Sequence, residues 1–338
     1  MSYQKGTMLK AMPILLTAAI VTALTGCGPM AGGKGLLGRG RELLTVDFPA
    51  GQILRYKFIS SRQITVSWDA AEQAAQSANR ATDKSSESME MVVSYSPVEI
   101  DPYGLTTIKV TCESVKVSRS KGPQRDAAES FAGKTFTLAV GPTGKIENYS
   151  QLDELLKEAG KKAFRADTGQ GRIKDPDMIN DIVASQWFLW DAVSAIEEPS
   201  KGVTAGQSWR SKLSVPTPMV MRKARDVTYT LAEVRPGEQG RLAVIRSSYG
   251  PADSVPRGWP IPYSGSFQPA GAFGFYRNYQ VLDLKGEGEE LFNINAGRTQ
   301  QYSQHYRMQL KASLLMPLPG ASPTITIDQN LTMTLIED

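Results

Sequence analysis

From residue 51 onward, apolar and polar positions alternate over long stretches of the chain. The runs QILRYKFISSRQITVSW, SMEMVVSYSPVEI and LTTIKVTCESVKVS are rich in β-branched and aromatic residues. A period of two sends one set of side chains to a core and the other to water, which predicts half-buried strands. The DPYG stretch supplies a turn between the last two runs. Between the first two, DAAEQAAQSANRATDKSSES has no apolar face and reads as an exposed insertion or long loop. KTFTLAVGPTGKIENYS alternates, turns at GPTG and alternates again, the pattern of a hairpin. The period then changes. Ser150 is placed to cap a helix, with Asp153 three positions on and Leu152, Leu155 and Leu156 on one face. A second helix is predicted to open at Asp175-Pro176, since proline is tolerated at the first helical position. Its stripe is Ile179, Ile182, Val183, Gln186, Trp190 and Val193, widened by Trp187, Phe188 and Leu189 and ended by Pro199.

The second half repeats the logic. DVTYTLAEVRPGEQGRLAVIRSSYG parallels MEMVVSYSPVEIDPYGLTTIKVTCESV, and GEELFNINAGRTQQYSQ parallels GKTFTLAVGPTGKIENYSQ down to Tyr-Ser-Gln. An internal duplication and the independent likeness of two hairpin pairs both account for this. The expected fold class is α+β, predominantly antiparallel β, with two related sheet halves and an intervening helical pair whose apolar faces cover a sheet. The expected organisation is a signal segment over 1–26, a flexible tether over 27–48, an N-terminal β half over 49–149, the helical pair over 150–198 and a C-terminal β half over 199–338.

Composition changes this picture little. The 338 residues are 41% hydrophobic and 21% charged, ordinary for a folded body. Formal net charge is +4, and two of the positive charges, Lys5 and Lys10, precede Cys27. Without a clustered basic face, nucleic acid is excluded as the expected partner.

The first thirty residues are different. Ala11 to Leu24 holds no charge, matching the apolar segment of an export signal and falling short of the roughly 20 residues of a membrane-spanning helix. Met8 offers a second start for this signal. The stretch ends in LTGC, with Leu24 three residues before Cys27 and small Thr25 and Gly26 between. This resembles the lipobox of bacterial lipoprotein precursors. The resemblance implies cleavage between Gly26 and Cys27, a diacylglyceryl group on the Cys27 sulfur, and a palmitate-bearing anchor in the cell envelope. By the same resemblance Gly28, standing where inner-membrane retention uses Asp, favours the outer membrane in a cell with two membranes. Two or more acyl chains hold a domain stably where one holds it only marginally. Gly28, Gly33 and Lys34 also satisfy the spacing of a phosphate loop, but Gly35 replaces the magnesium-binding hydroxyl residue, so GPMAGGKGLLGRG reads as tether. The order of elements in the body is similar to a family of exported bacterial proteins with no assigned function, a likeness that brings no catalytic residues.

The search for chemistry is short. Cys112 reads as a small strand residue, and His305, the single histidine, as a surface or cross-strand residue. No metal set, cofactor motif or catalytic constellation is visible, and the expectation is a protein that is not an enzyme. Asp153, Glu154, Asp175 and Asp177 stand at helix starts, and Glu287, Glu289 and Glu290 read as a solvated turn. The best candidate surface is the segment 250–279, whose Trp259, Tyr263, Phe267, Phe275 and Tyr276 could stack on a ligand. Two functions fit: a membrane-anchored, non-catalytic binding or surface-organising protein with an envelope protein, glycan or lipid partner, and a periplasmic carrier. The carrier would hold an apolar ligand, a lipid or acyl chain, between a curved sheet and the Trp-rich helix.

Overall fold

The computed structural model describes residues 40–68, 82–122, 125–165, 172–217, 223–263, 267–270, 274, 276–314 and 322–336. The expected signal segment, Cys27 and most of the expected tether lie outside them. Five strands come first: β1 (Leu54–Ser67), β2 (Thr82–Ile100), β3 (Thr106–Arg119), β4 (Thr135–Val140) and β5 (Ile146–Asn148). Helices α1 (Ser150–Lys162), α2 (Ile179–Phe188) and α3 (Asp191–Ser194) follow, with the two-residue β6 (Ile173–Lys174) between the first two. The second half holds β7 (Ser208–Ser214), β8 (Ala224–Gly237), β9 (Gly240–Pro251), β10 (Gln268–Pro269), β11 (Tyr276–Asn293), β12 (Arg298–Leu314) and β13 (Thr324–Ile336).

The two halves join into one sheet. Its eleven strands run β5-β4-β3-β2-β1-β13-β12-β11-β9-β8-β7, every neighbouring pair antiparallel, and the joint is the pairing of the first strand with the last, Arg55 opposite Ile336 through Ser67 opposite Thr324. β6 and β10 form a separate parallel pair. The class is as the alternation predicts: mostly antiparallel sheet with a few helices. The repeated strings fall on corresponding hairpins, β2–β3 with β8–β9 and β4–β5 with β11–β12.

One face of the sheet is wet and the other wraps around α2. Residues from well-separated strands converge on this helical stretch: Tyr95 of β2 donates to Gln186 Oε1 at 2.8 Å, Thr299 of β12 lies 3.0 Å from the Leu189 carbonyl, and Trp209 of β7 donates to the Ala192 carbonyl at 2.7 Å. Only a strongly curved sheet brings its β7 edge and its centre to the continuous helical stretch of α2 and α3. The helix is accordingly buried on every side, with Asp181, Ser185 and Gln186 as deep as Ile182 and Val183. The expected stripe, already widened by Trp187, Phe188 and Leu189, extends around the whole helix, polar residues included.

A polar row crosses this concave face at right angles to the strands. Tyr306 of β12 stands opposite Gln329 of β13, Gln329 opposite Arg62 of β1, Arg62 opposite Glu87 of β2, and Glu87 opposite Arg119 of β3. Arg62 pairs with Glu87 at 2.7 Å and with Asp181 of α2 at 2.9 Å; Arg119 pairs with Glu87 at 3.1 Å and also with Asp126. Gln329 Nε2 donates to Asp181 at 2.6 Å and to Ser60 at 2.8 Å, and Tyr306 donates to Gln329. Burial pushes the Glu87 carboxyl up, but Arg62 and Arg119 outweigh it and hold it below its ordinary value.

Three expectations shift at element ends. Residues Thr82–Ser88 continue β2, paired along the whole of β1, where the polar composition suggested a loop; strand pairing overrides a run with no apolar face. Helix α1 has Tyr149 at its N-cap, without a side-chain cap; Asn148 before it accepts from the Ser150 amide at 2.9 Å, and Ser150 is already helical. Helix α2 starts at Ile179, three residues after Pro176, because the Asp177 carboxylate accepts the Ile179 amide at 3.2 Å and pairs with Lys174 at 2.9 Å. The segment from Arg41 to Phe48 straps one end of the curved sheet. It bonds to Val203 before β7, to Pro142 at the β4–β5 turn and to Gly297 at the β11–β12 turn, burying Leu44, Val46 and Phe48.

Replacing Arg62 with Met leaves Glu87 and Asp181 buried without their shared partner, so stability in urea should fall by roughly 3–5 kcal/mol. A loss under 1 kcal/mol would mean the row is not a structural tie.

Candidate functional site

The same concave face carries a second cationic centre, and this one is incompletely paired. Arg225 lies in phase with Val227, Tyr229 and Leu231 along β8, so the strand period that buries those residues buries it too. Its guanidinium sits 4.0 Å from the Tyr249 ring centre, 4.7 Å from Phe188 and 5.4 Å from Tyr306. Nη2 donates to Gln304 Oε1 at 2.5 Å. Among the described residues Nε and Nη1 find no acceptor, nor does Gln304 Nε2. Tyr302 donates to Gln304 Oε1 at 2.9 Å, and its hydroxyl lies 3.2 Å from that of Tyr249, which accepts from Ser247 at 2.8 Å. Room for this cluster comes from β11, whose inward positions 286 and 288 are glycine. A Cβ at Gly286 would run into Tyr306 and Tyr249, and one at Gly288 into Tyr249 and Ser247.

Two buried carboxyls flank the cluster. Asp191 accepts from Tyr229 at 2.7 Å and Ser211 at 3.0 Å, yet burial raises it to about 6. Glu290 is raised by burial to about 8, with the Asp191 charge adding to the shift. Geometry agrees. Thr299 Oγ1 lies 2.5 Å from Glu290 Oε1 and 3.0 Å from the Leu189 carbonyl, and it has one hydrogen for two acceptors. A proton on Glu290 would supply the second hydrogen, in keeping with the upward shift. The expectation of a solvated turn over Glu287–Glu290 is thus corrected: these residues lie inside β11, alternating outward and inward, and the glycines that suggested a turn are inward positions vacated for Tyr249.

The expected stacking surface takes another form. Trp259 lies partly buried against Trp187, ring centres 5.1 Å apart, and Tyr263 is buried, donating to Asp177 under the Lys174 ammonium. Phe267 packs on Phe164 at 5.2 Å, and Tyr276 is buried beside Trp68. Phe275 lies outside the described residues. In place of an exposed platform, Trp259, Tyr263 and Phe267 pin their segment to α2, to Phe164 after α1 and to Lys174 of β6, while Tyr276 packs at the end of β1. A Cβ on Gly160 of α1 would strike the Pro262 carbonyl, so the approach there is close. Cys112 is buried, its thiol pushed up to about 12, and exposed His305 reaches Asp328 across the strand pair at 3.0 Å. Two open clefts of about 470 and 460 Å³ are mainly polar: one on the wet face, with Ser86, Ser88, Ser118 and Asp328, and one between Arg41, Glu198 and Arg210. Among the described residues no three His, Cys, Asp or Glu side chains gather as a metal site, and no helix is long and apolar enough to cross a membrane.

Sequence reading passed over Arg225, Gln304 and Asp191. The available signal was phase: Arg225 before Val-x-Tyr-x-Leu, and Gln304 between Tyr302 and Tyr306.

Comparison with known proteins adds little. No family model matches the chain, and no curated protein matches it. Among solved structures it is similar to a chain from a study of lipid–protein interactions in lipovitellin, with a TM-score of 0.43 and 8% identity, covering 86% of this chain. The match spans about a quarter (26%) of that chain's length.

Both raised carboxyls stay protonated in the fold at pH values where the unfolded chain has already released those protons. Their contribution is complete below about pH 4 and is lost as pH rises through about 6 and then about 8. Stability to urea should therefore fall between pH 5 and pH 8.5 by on the order of a few kcal/mol, and Glu290→Gln should flatten the slope. An unchanged slope in that variant would show that Glu290 ionises normally.

Proposed function

We propose that this chain is a membrane-anchored, non-catalytic binding protein of the cell envelope that holds an anionic group against Arg225. The anchoring part rests on the LTGC stretch ending at Cys27. The binding part rests on one observation: a fully buried guanidinium, walled by tyrosines, with two nitrogens that lack an acceptor among the described residues. Leaving charged donors unsatisfied in a low-dielectric interior is costly, and a carboxylate or phosphate would satisfy them.

The carrier reading keeps a narrower form. A curved sheet closed by a helix is a suitable container, but Met178 to Leu189 is packed with rings, aliphatics and ion pairs, which disfavours a purely apolar guest. An amphiphile with an acidic head suits Arg225 better than an acyl chain alone.

Native mass spectrometry of the purified chain should reveal a bound anion, a fatty acid or phospholipid in one case and inorganic phosphate in the other. Arg225→Met, which removes the charge at similar volume, should abolish it while leaving the fold intact. A native chain without any adduct, or an adduct that persists in the variant, would defeat the binding reading. Anchoring is tested separately: labelled palmitate should enter the native protein and fail to enter Cys27→Ser.

A further inference from the structure

The ends of the sheet differ. The turns β2–β3, β4–β5, β8–β9 and β11–β12, the start of β1 and the strap at Arg41–Phe48 all lie at one end, because every neighbouring strand pair is antiparallel. Among the described residues the large apolar side chains left in water gather there: Tyr103 at 89% exposure, Val98 at 64%, Ile53 at 56%, Leu43 at 55% and Ile100 at 48%. Ile59, Ile261 and Leu282 are elsewhere. The β2–β3 tip is built to present its tyrosine. Asp101 Oδ1 accepts from the amides of Tyr103 and Leu105, both at 2.8 Å, and fixes the turn with the ring outward.

We infer that this rim is a membrane-contacting surface and that the β2–β3 tip enters the interface of a phospholipid bilayer. The inference takes its occupant from the anchoring reading above. Twelve residues separate Cys27 from Gly40, where the described chain begins at this rim. Fully extended they reach about 45 Å, so acyl chains on Cys27 keep the rim within roughly a protein diameter of the lipid. Tyrosine and aliphatic side chains are the residues that settle at the headgroup level. Glu99 and Asp101 at the tip disfavour an anionic surface and point to zwitterionic lipid.

The test does not require cellular acylation. The chain beginning at Cys27 is coupled through that thiol to maleimide lipid in phosphatidylcholine vesicles; buried Cys112 does not compete. Tyr103→Trp should add emission that brominated phosphatidylcholine quenches, whereas Ser118→Trp, at the opposite end of β3, should add emission that it leaves unquenched. Uncoupled Cys27→Ser chain should bind the same vesicles weakly, and adding Val98→Ser, Ile100→Ser and Tyr103→Ser should weaken binding by about tenfold or more. Equal quenching at both positions, or an unchanged triple variant, would overturn the inference. So would concentration-dependent dimers that bury the tip in a second copy. Failure of palmitate incorporation with quenching intact at position 103 would remove the anchor and keep the rim.

Discussion

Arg62 is the tie on which the rest of the architecture depends. It is a fully buried charge on β1, the strand that joins the two halves, and it bonds at once to β2 and to the buried helix. A buried ion pair of this kind adds little net stability over an apolar filling, but it punishes any arrangement that separates its partners. A one-residue slip of β1 would turn Arg62 outward and leave Glu87 and Asp181 behind. The row from Tyr306 to Arg119 thus selects one register across five strands and one depth for α2.

Curvature follows from the same arrangement. Because α2 is held by its own polar residues to strands on both sides of the central joint, the sheet has to bend around it, and edge strand β7 comes to Trp209's bond with Ala192. The strap then ties the turns of one end together, through Glu42 to Arg241 and Val203 and through Val46 to Pro142. Arg225 stands apart from this scheme. Where Arg62 and Arg119 meet carboxylates, Arg225 meets rings and one amide oxygen. Burial raises Glu290 to about 8, so it is a poor source of compensating charge near neutral pH, while Asp191, raised only to about 6, gives Arg225 a charge that acts without a direct hydrogen bond. That imbalance is what makes the second centre chemically distinct from the first.

Alternation is a local property, and it carried far. The strand class, the hairpins at 101–104 and 141–144, the burial of Cys112 and the cross-strand setting of His305 were all legible, because each depends on neighbours within a few residues. The same phase, followed strictly, would also have placed Arg62, Arg225, Gln304 and Glu290 on the inner face. Composition misled there: GEGEE suggests a solvated turn until Tyr249 is known to lie over the glycines. The aromatic segment at 259–276 misled for a similar reason, since rings that are conspicuous in a sequence can be turned inward by a lysine, an aspartate and a tryptophan far away in the chain.

By itself the sequence determined the period of each element, the placing of the helices between two strand runs and the lipobox-like stretch at Cys27. Tertiary structure alone decided that the halves form one sheet, that β1 pairs with β13, and that two nitrogens of Arg225 are left without an acceptor among the described residues. Those outcomes depend on partners separated by tens to hundreds of residues, such as Ser60 with Gln329. No local pattern encodes which distant side chain a buried donor will meet, because that is set only when the curved sheet closes on the helix.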